Sequence, residues 1–210
     1  MTRKIDPGIK DIDLSHFLPK EGELIVDNES DGFSLLQPPV GNRSPEWQKP
    51  VYSTDKYNTY NMMLASEAWT LVTHYGFYGE RVRNGWMKKS GDGEFKAKWS
   101  VKIEKAGYYE VLAYIPSYVE LQQKRGISSR TLSPMNAIKQ NYLVQHDSKE
   151  TEISLEIIAL NTNWISLGCF YFSPGDASVV LTDKGSVDDQ VIYADAVKWV
   201  LDGDNKMCEK

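Results

Sequence analysis

Residues 94–103 read Glu94-Phe95-Lys96-Ala97-Lys98-Trp99-Ser100-Val101-Lys102-Ile103. Phe95, Ala97, Trp99, Val101 and Ile103 share one parity, and Glu94, Lys96, Lys98, Ser100 and Lys102 share the other. Strict period two over so long a run describes a β-strand with one buried and one wet face. A helix would scatter the same apolar side chains around its axis. Gly91-Asp92-Gly93 before the run and Lys105-Ala106-Gly107 after it supply turn chemistry, so both ends are bounded.

Working outward, further short strands follow at close spacing. Tyr108 to Ile115 is rich in β-branched and aromatic residues and stops at Pro116. Asn141–His146 and Thr151–Ile158 flank the polar turn Asp147-Ser148-Lys149 and read as a hairpin. Trp164–Phe172 ends at Ser173-Pro174-Gly175-Asp176, Ala177–Thr182 ends in a polar loop, and Gln190–Leu201 closes the series. Leu24-Ile25-Val26 and Phe33-Ser34-Leu35 open it. Many short strands without intervening helical patterns predict an all-β fold, an antiparallel sandwich of jelly-roll type.

Two stretches break this rhythm. Residues 37–75 hold Pro38, Pro39, Pro45 and Pro50 and then a tyrosine-rich polar segment. Within it, Met62, Ala65, Trp69 and Val72 recur at helical spacing, which predicts a short helix over Asn61–Thr73. Residues 117–139 read as a long loop. The expected organisation is an N-terminal arm over 1–22, one sandwich domain over 23–202 and a tail over 203–210.

Composition narrows the function classes. The chain has 210 residues, with 24 Lys+Arg against 29 Asp+Glu and a net charge of −5, which argues against a nucleic-acid binder. Hydrophobic residues are 41% and charged residues 25%, as in an ordinary soluble domain. No apolar run approaches the ~18 residues of a transmembrane helix, and no signal segment is expected near Met1. Cys169 lies in an apolar run and Cys208 in a polar tail. A buried thiol and a tail thiol are the expectation, with a disulfide the other arrangement. His16, His74 and His146 form no metal-type pair, and neither a Gly-x-Ser-x-Gly nor a phosphate loop is present. No catalytic residue is expected in this chain.

The ordered motifs resemble the golvesin C-terminal-like domain, also described as the xanthan lyase carbohydrate-binding-like domain. They are Ile25 to Phe33 with its Asp27-Asn28 and Gly32-Phe33, Tyr75 to Gly79, Trp99 with Ala106 to Val111, and Trp164 to Phe172. A Ser-Pro-Gly turn, a Val-x-Leu-Thr-Asp strand and Ala194-Asp195-Ala196-Val197-Lys198-Trp199 follow. The resemblance implies a β-sandwich accessory module attached to secreted or surface bacterial enzymes, often in polysaccharide utilisation. The expected partners are therefore a polysaccharide or oligosaccharide and other domains of a parent chain, in an extracytoplasmic setting. A polysaccharide lyase or hydrolase is the more remote reading.

Sugar binding needs flat aromatic faces beside polar groups. Trp99 and Trp199 share parity with apolar neighbours and belong to the core, whereas Trp164 begins a strand and fits either role. The candidate ligand-binding aromatics are Trp47, Tyr52, Tyr57, Tyr60 and Trp86, in or beside polar and Pro/Gly-containing stretches. Arg81 and Arg83 are candidates for the carboxylate of an acidic sugar. The competing role for these aromatics is packing the long loop onto the sandwich. Asp27, Glu29 and Asp31 alternate in a pattern suited to Ca²⁺, against a strand-to-turn hydrogen-bonding role for Asp27 and Asn28. Asp195 shares parity with Val197 and Trp199 and is expected to point inward and pin a backbone turn. The rival to sugar binding is a docking module whose exposed apolar patch lies around Met62, Met63 and Trp69.

Overall fold

The period-two run becomes β5 (Lys96–Ile103) in the computed structural model, with Ala97, Trp99 and Ile103 buried and Lys102 exposed. The structure describes residues 19–36, 68–74, 76–79, 83–116, 138–157, 163–186, 190–203 and 208, and among them are twelve strands and no helix. The other strands are β1 (Glu23–Val26), β2 (Phe33–Leu36), β3 (Thr70–Thr73), β4 (Asn84–Lys89) and β6 (Gly107–Ile115). They continue with β7 (Ile138–His146), β8 (Lys149–Ile157), β9 (Asn163–Phe172), β10 (Gly175–Thr182), β11 (Val191–Ala194) and β12 (Val197–Leu201). Every strand pairing is antiparallel.

Three sheets result, in the orders β1-β12-β6-β9, β2-β5-β10-β7-β8 and β11-β4-β3. The inward parities of the two large sheets share one core. Val111, Phe172, Val197 and Trp199 of the first sheet pack with Trp99, Tyr142, Val144, Val179 and Leu181 of the second. This is the expected antiparallel β-sandwich. Trp99 and Trp199 are buried as expected, and Trp164 is half-buried. The edge strand β8 turns Glu150, Glu152 and Glu156 to solvent, which discourages pairing with another chain.

The departures from sequence expectation have local causes. Residues 70–73 form strand β3 rather than a helix end, paired residue for residue with β4, while 61–67 lie outside the described residues. Trp69 is buried, so it cannot belong to an exposed docking patch; Met62 and Met63 lie outside the described residues. The 190–201 run is two strands, because the chain leaves the three-stranded sheet at Ala194 and joins the first large sheet at Val197. The β7–β8 turn is tighter than expected. Asp147 and Ser148 both take left-handed conformations (φ 43° and 61°), which closes the hairpin with two residues.

Strand β4 was not foreseen because its apolar pattern is broken by Lys88, which is fully buried. The Lys88 ammonium pairs with the equally buried Asp183, donates to the Lys89 carbonyl (2.8 Å) and lies over the Phe95 ring (4.7 Å). Asp183 also accepts from Gly93 N–H (2.7 Å), so this pair ties β4, the turn before β5 and the end of β10 together. A buried ion pair survives only when its remaining hydrogen-bonding capacity is met, as it is here.

The cysteines overturn the free-thiol expectation: Cys169 and Cys208 form a disulfide with Cα atoms 5.4 Å apart. It joins β9 to the tail across 39 residues of sequence, and Cys208 N–H also donates to Asp202 (3.0 Å). Removing a link over that span relaxes the unfolded chain by about 2–4 kcal/mol. The paired variant Cys169→Ser/Cys208→Ser should therefore melt several degrees below the oxidised protein in differential scanning calorimetry, with the sheet signal in circular dichroism retained.

Candidate functional site

A grouping of buried polar and aromatic residues lies where β11 passes into β12. Asp195, in that passage, is 1% exposed. Its backbone carbonyl accepts from the Trp99 indole N–H (2.9 Å), and its Oδ2 accepts from Tyr78 N–H (2.9 Å). The inward-facing acid that pins a backbone turn is thus present as expected. Its other oxygen, Oδ1, has no hydrogen-bond partner. Burial pushes the Asp195 carboxyl well above the usual range; Tyr78 N–H pulls it back, and the Asp27 charge pushes it further up.

Asp27 ends β1 and opens a tight turn. Ser30 N–H donates to its carbonyl (2.9 Å), Ser30 Oγ accepts from its N–H (3.0 Å), and Asn28 N–H donates to its Oδ1 (2.8 Å). The strand-to-turn role for Asp27 and Asn28 is therefore seen directly. Side chains then form a row. The Asn28 amide meets the Asp27 carboxylate at 2.8 Å and the Asn84 amide at 2.5 Å, and Asn84 Nδ2 donates to Glu29 Oε1 (2.6 Å).

This row has carboxylates at both ends and two amides between them. Each amide offers a nitrogen to one side and an oxygen to the other. If both nitrogens face Glu29, the Asn28 oxygen is left against Asp27 Oδ1 and the Asn84 carbonyl. Turning both amides over moves the oxygen–oxygen contact to Glu29. The row is one hydrogen short in any orientation, and a proton or a cation must supply the difference. Burial, followed by the neighbouring Glu29 charge, raises Asp27 to about 6 against the pull of Asn28 N–H, so the proton is at hand in mild acid.

Aromatic rings adjoin the row. Tyr78, Tyr114 and Trp164 form a triangle, with centroids 5.5 Å apart for Tyr78–Tyr114 and 5.2 Å for each ring against Trp164. Lys198 lies over the Trp164 ring (4.8 Å) and pairs with Glu23 (3.2 Å). Tyr114 donates to Asn163 Oδ1 (3.0 Å). Burial, and then the Asp195 charge, push Tyr114 up to about 12 against the nearby Arg83 guanidinium, so its hydroxyl stays a hydrogen-bond donor.

Of the sequence candidates, Arg83 reaches this corner, whereas Trp86 sits on β4, half-buried against the core. Trp47, Tyr52, Tyr57, Tyr60 and Arg81 lie outside the described residues. The acidic triplet splits. Asp27 and Glu29 join the row, while Asp31 is exposed beyond the turn. No group of three or more His, Cys, Asp or Glu is placed to hold a metal among the described residues. Tyr78, Asn84, Tyr114 and Lys198 were missed. The wet parity of Tyr108–Ile115 already marked Tyr114; Tyr78 and Asn84 carry no comparable signal.

The fold is similar to solved structures. A Paenibacillus xanthan lyase matches with a TM-score of 0.55 at 16% identity, over 86% of this chain and 13% of that one. A Podospora anserina GH26-CBM35 β-(1,4)-mannanase matches at 0.41 and 9% identity, over 67% of this chain and 27% of that one. A mannan-binding module from Man5C matches at 0.34 and 15% identity, over 56% of this chain and 81% of the module. The likeness to the xanthan lyase bears on the fold alone, and the chain spans about an eighth of that protein. No family model matches the sequence, and no curated protein matches it.

Because native Asp27 holds its proton to about pH 6 and an unfolded aspartate does not, the native state binds more protons between roughly pH 4 and 6. Stability from this group therefore falls as pH rises through that window. In chelator-treated protein, Asp27→Asn keeps the acceptor for Asn28 N–H and adds the missing hydrogen. Its melting temperature should match or exceed that of the parent at pH 7 and lose the parent's decline between pH 4 and 6.

Proposed function

We propose that this chain is a non-catalytic accessory domain of a secreted or surface bacterial protein and binds polysaccharide through aromatic side chains. The observation that carries the reading is a β-sandwich whose strand ends gather Tyr114 and Trp164 with Arg83, Lys198 and amide groups. Aromatic rings beside hydrogen-bonding groups are the chemistry that sugar rings require. The motif resemblance to the golvesin and xanthan lyase-like domains supports the same reading. The disulfide supports an oxidising, extracytoplasmic setting. No helix among the described residues is long and apolar enough to cross a membrane.

Affinity electrophoresis against neutral and acidic glycans tests this. Retardation by at least one glycan is expected. Trp47→Ala, Trp86→Ala and Arg83→Ala should weaken it, the arginine variant most for carboxylated glycans. Absence of retardation across the panel, with a soluble folded protein, would leave docking onto a neighbouring domain as the better account.

A bound Ca²⁺ is the second element of the proposal, favoured by the unpartnered Asp195 Oδ1 and the hydrogen-deficient row at Asp27. Asp27 and the Asn28 amide oxygen, which face each other at the end of the row, would hold the ion, with the Asp195 carboxyl nearby, in place of the Asp27, Glu29 and Asp31 triplet. Ca²⁺ prefers such hard oxygen donors. Added Ca²⁺ should raise the melting temperature of chelator-treated protein by several degrees at pH 7.5 and by much less at pH 5. Asp195→Asn, which keeps the acceptor for Tyr78 N–H, should abolish the response.

A further inference from the structure

Strand β6 alternates without a break. Tyr109, Val111, Ala113 and Ile115 fill the core, while Tyr108, Glu110, Leu112 and Tyr114 face outward. Its partner β9 sets Tyr171 directly opposite Tyr108, Cys169 opposite Glu110 and Trp164 opposite Tyr114. The outer face of the first sheet therefore carries an aromatic pair at each end, on the same two strands.

The two ends differ in their access to water. The Tyr114–Trp164 end is half-buried in the corner described above. Tyr108 and Tyr171 are 47% and 40% exposed, the only large aromatics so open among the described residues. Their rings stand 5.4 Å apart at 72°, so the pair offers water one broad face beside one edge rather than closing on itself. A cross-strand tyrosine pair contributes modestly to a sheet, and that contribution does not require leaving both rings open. Glu110 is the next outward residue, and the disulfide holds Cys208 in the same row. Hydroxyl-accepting and apolar surfaces are thus fixed side by side on rigid strands.

We infer that Tyr108 and Tyr171 form a sugar-stacking site, and that the outer face of this sheet receives an extended glycan chain along β6 and β9. The inference rests on the polysaccharide reading and moves the contact away from the 37–75 segment. Tyr114 and Trp164 lie six positions further along the strand, about 20 Å away, beneath Tyr78 and beyond the Cys169–Cys208 disulfide, so the open tyrosine pair carries the stacking and Glu110 extends it. Tyr108 and Tyr171 pack on the rings, and Glu110 accepts from their hydroxyls.

The experiment is isothermal titration of the oxidised chain with those glycans that retard it, each compared with its own mono- and disaccharide. Tyr108→Ala and Tyr171→Ala should each weaken binding of the long glycan by about tenfold, equivalent to one lost stacking contact of about 1.4 kcal/mol. Tyr108→Phe should stay within a few-fold of the parent, and the mono- and disaccharide should bind far more weakly. Melting temperature and near-ultraviolet circular dichroism check that each variant is folded. Should Tyr108→Ala fail to fold, Tyr171→Ala and Glu110→Gln carry the test. Unchanged binding in folded tyrosine variants, with loss in Trp47→Ala or Trp86→Ala, overturns this site and leaves the polysaccharide reading intact. No binding of any glycan by the parent protein overturns both.

Discussion

The interior is organised around a single peptide unit at Asp195. The chain there leaves one sheet and enters another, so the backbone loses its ladder partners in the middle of the protein. Buried carbonyls and amides without partners are costly. The Trp99 indole N–H meets the Asp195 carbonyl from the opposite sheet, and the Asp195 carboxylate meets Tyr78 N–H from the loop between β3 and β4. Three separate parts of the fold are thereby registered against one residue. The position of the aromatic triangle depends on that registration, because Tyr78 belongs to it and Tyr114 N–H donates to the Ala196 carbonyl (2.8 Å).

Two of the buried polar centres among the described residues, both built on acids, differ in how far they are satisfied. At Lys88–Asp183 the charges cancel and the remaining donors and acceptors find partners, so that centre needs nothing from outside. Around Asp27 and Asp195, two acids share a partly dry corner with Glu29 close by, while Lys198 is paired with Glu23 on the outer face. The charge excess and the missing hydrogen in the Asn28–Asn84 row describe the same deficit in two ways. A proton or a metal ion at the row supplies the missing hydrogen's charge and reduces the excess. Such a corner responds to solution conditions in a way that the lysine centre does not.

How much was legible in the sequence follows from which force set each residue's position. Where burial alone decided, as in β5 and β6, parity identified the strands and placed Trp99 and Trp199 correctly. Where a polar interaction decided, parity misled: buried Lys88 concealed β4, and the 190–201 run gave no sign that it changes sheets. The Cys169–Cys208 bond was equally hidden, since it depends on the tail folding back to β9 (39 residues apart) rather than on any local pattern. The site was legible in part. Arg83, Asp27 and Asp195 were singled out, but their convergence is a product of topology. Most of the aromatic candidates fall within residues 47–60, where the sequence shows no apolar periodicity and which lie outside the described residues.

Alternation also explains how one sheet can serve two purposes. Along β6 each inward residue is fixed by close packing against the opposite sheet, where loss of even a methylene group is felt. At the Tyr108 end the outward rings carry no such constraint and contribute little to the fold, while their backbone positions are set by the paired strands. A ligand meeting Tyr108 and Tyr171 would therefore find their backbone already ordered and only their side-chain rotamers left to settle. On that physical ground the contact proposed at Tyr108 and Tyr171 has a rigid base in the paired strands β6 and β9.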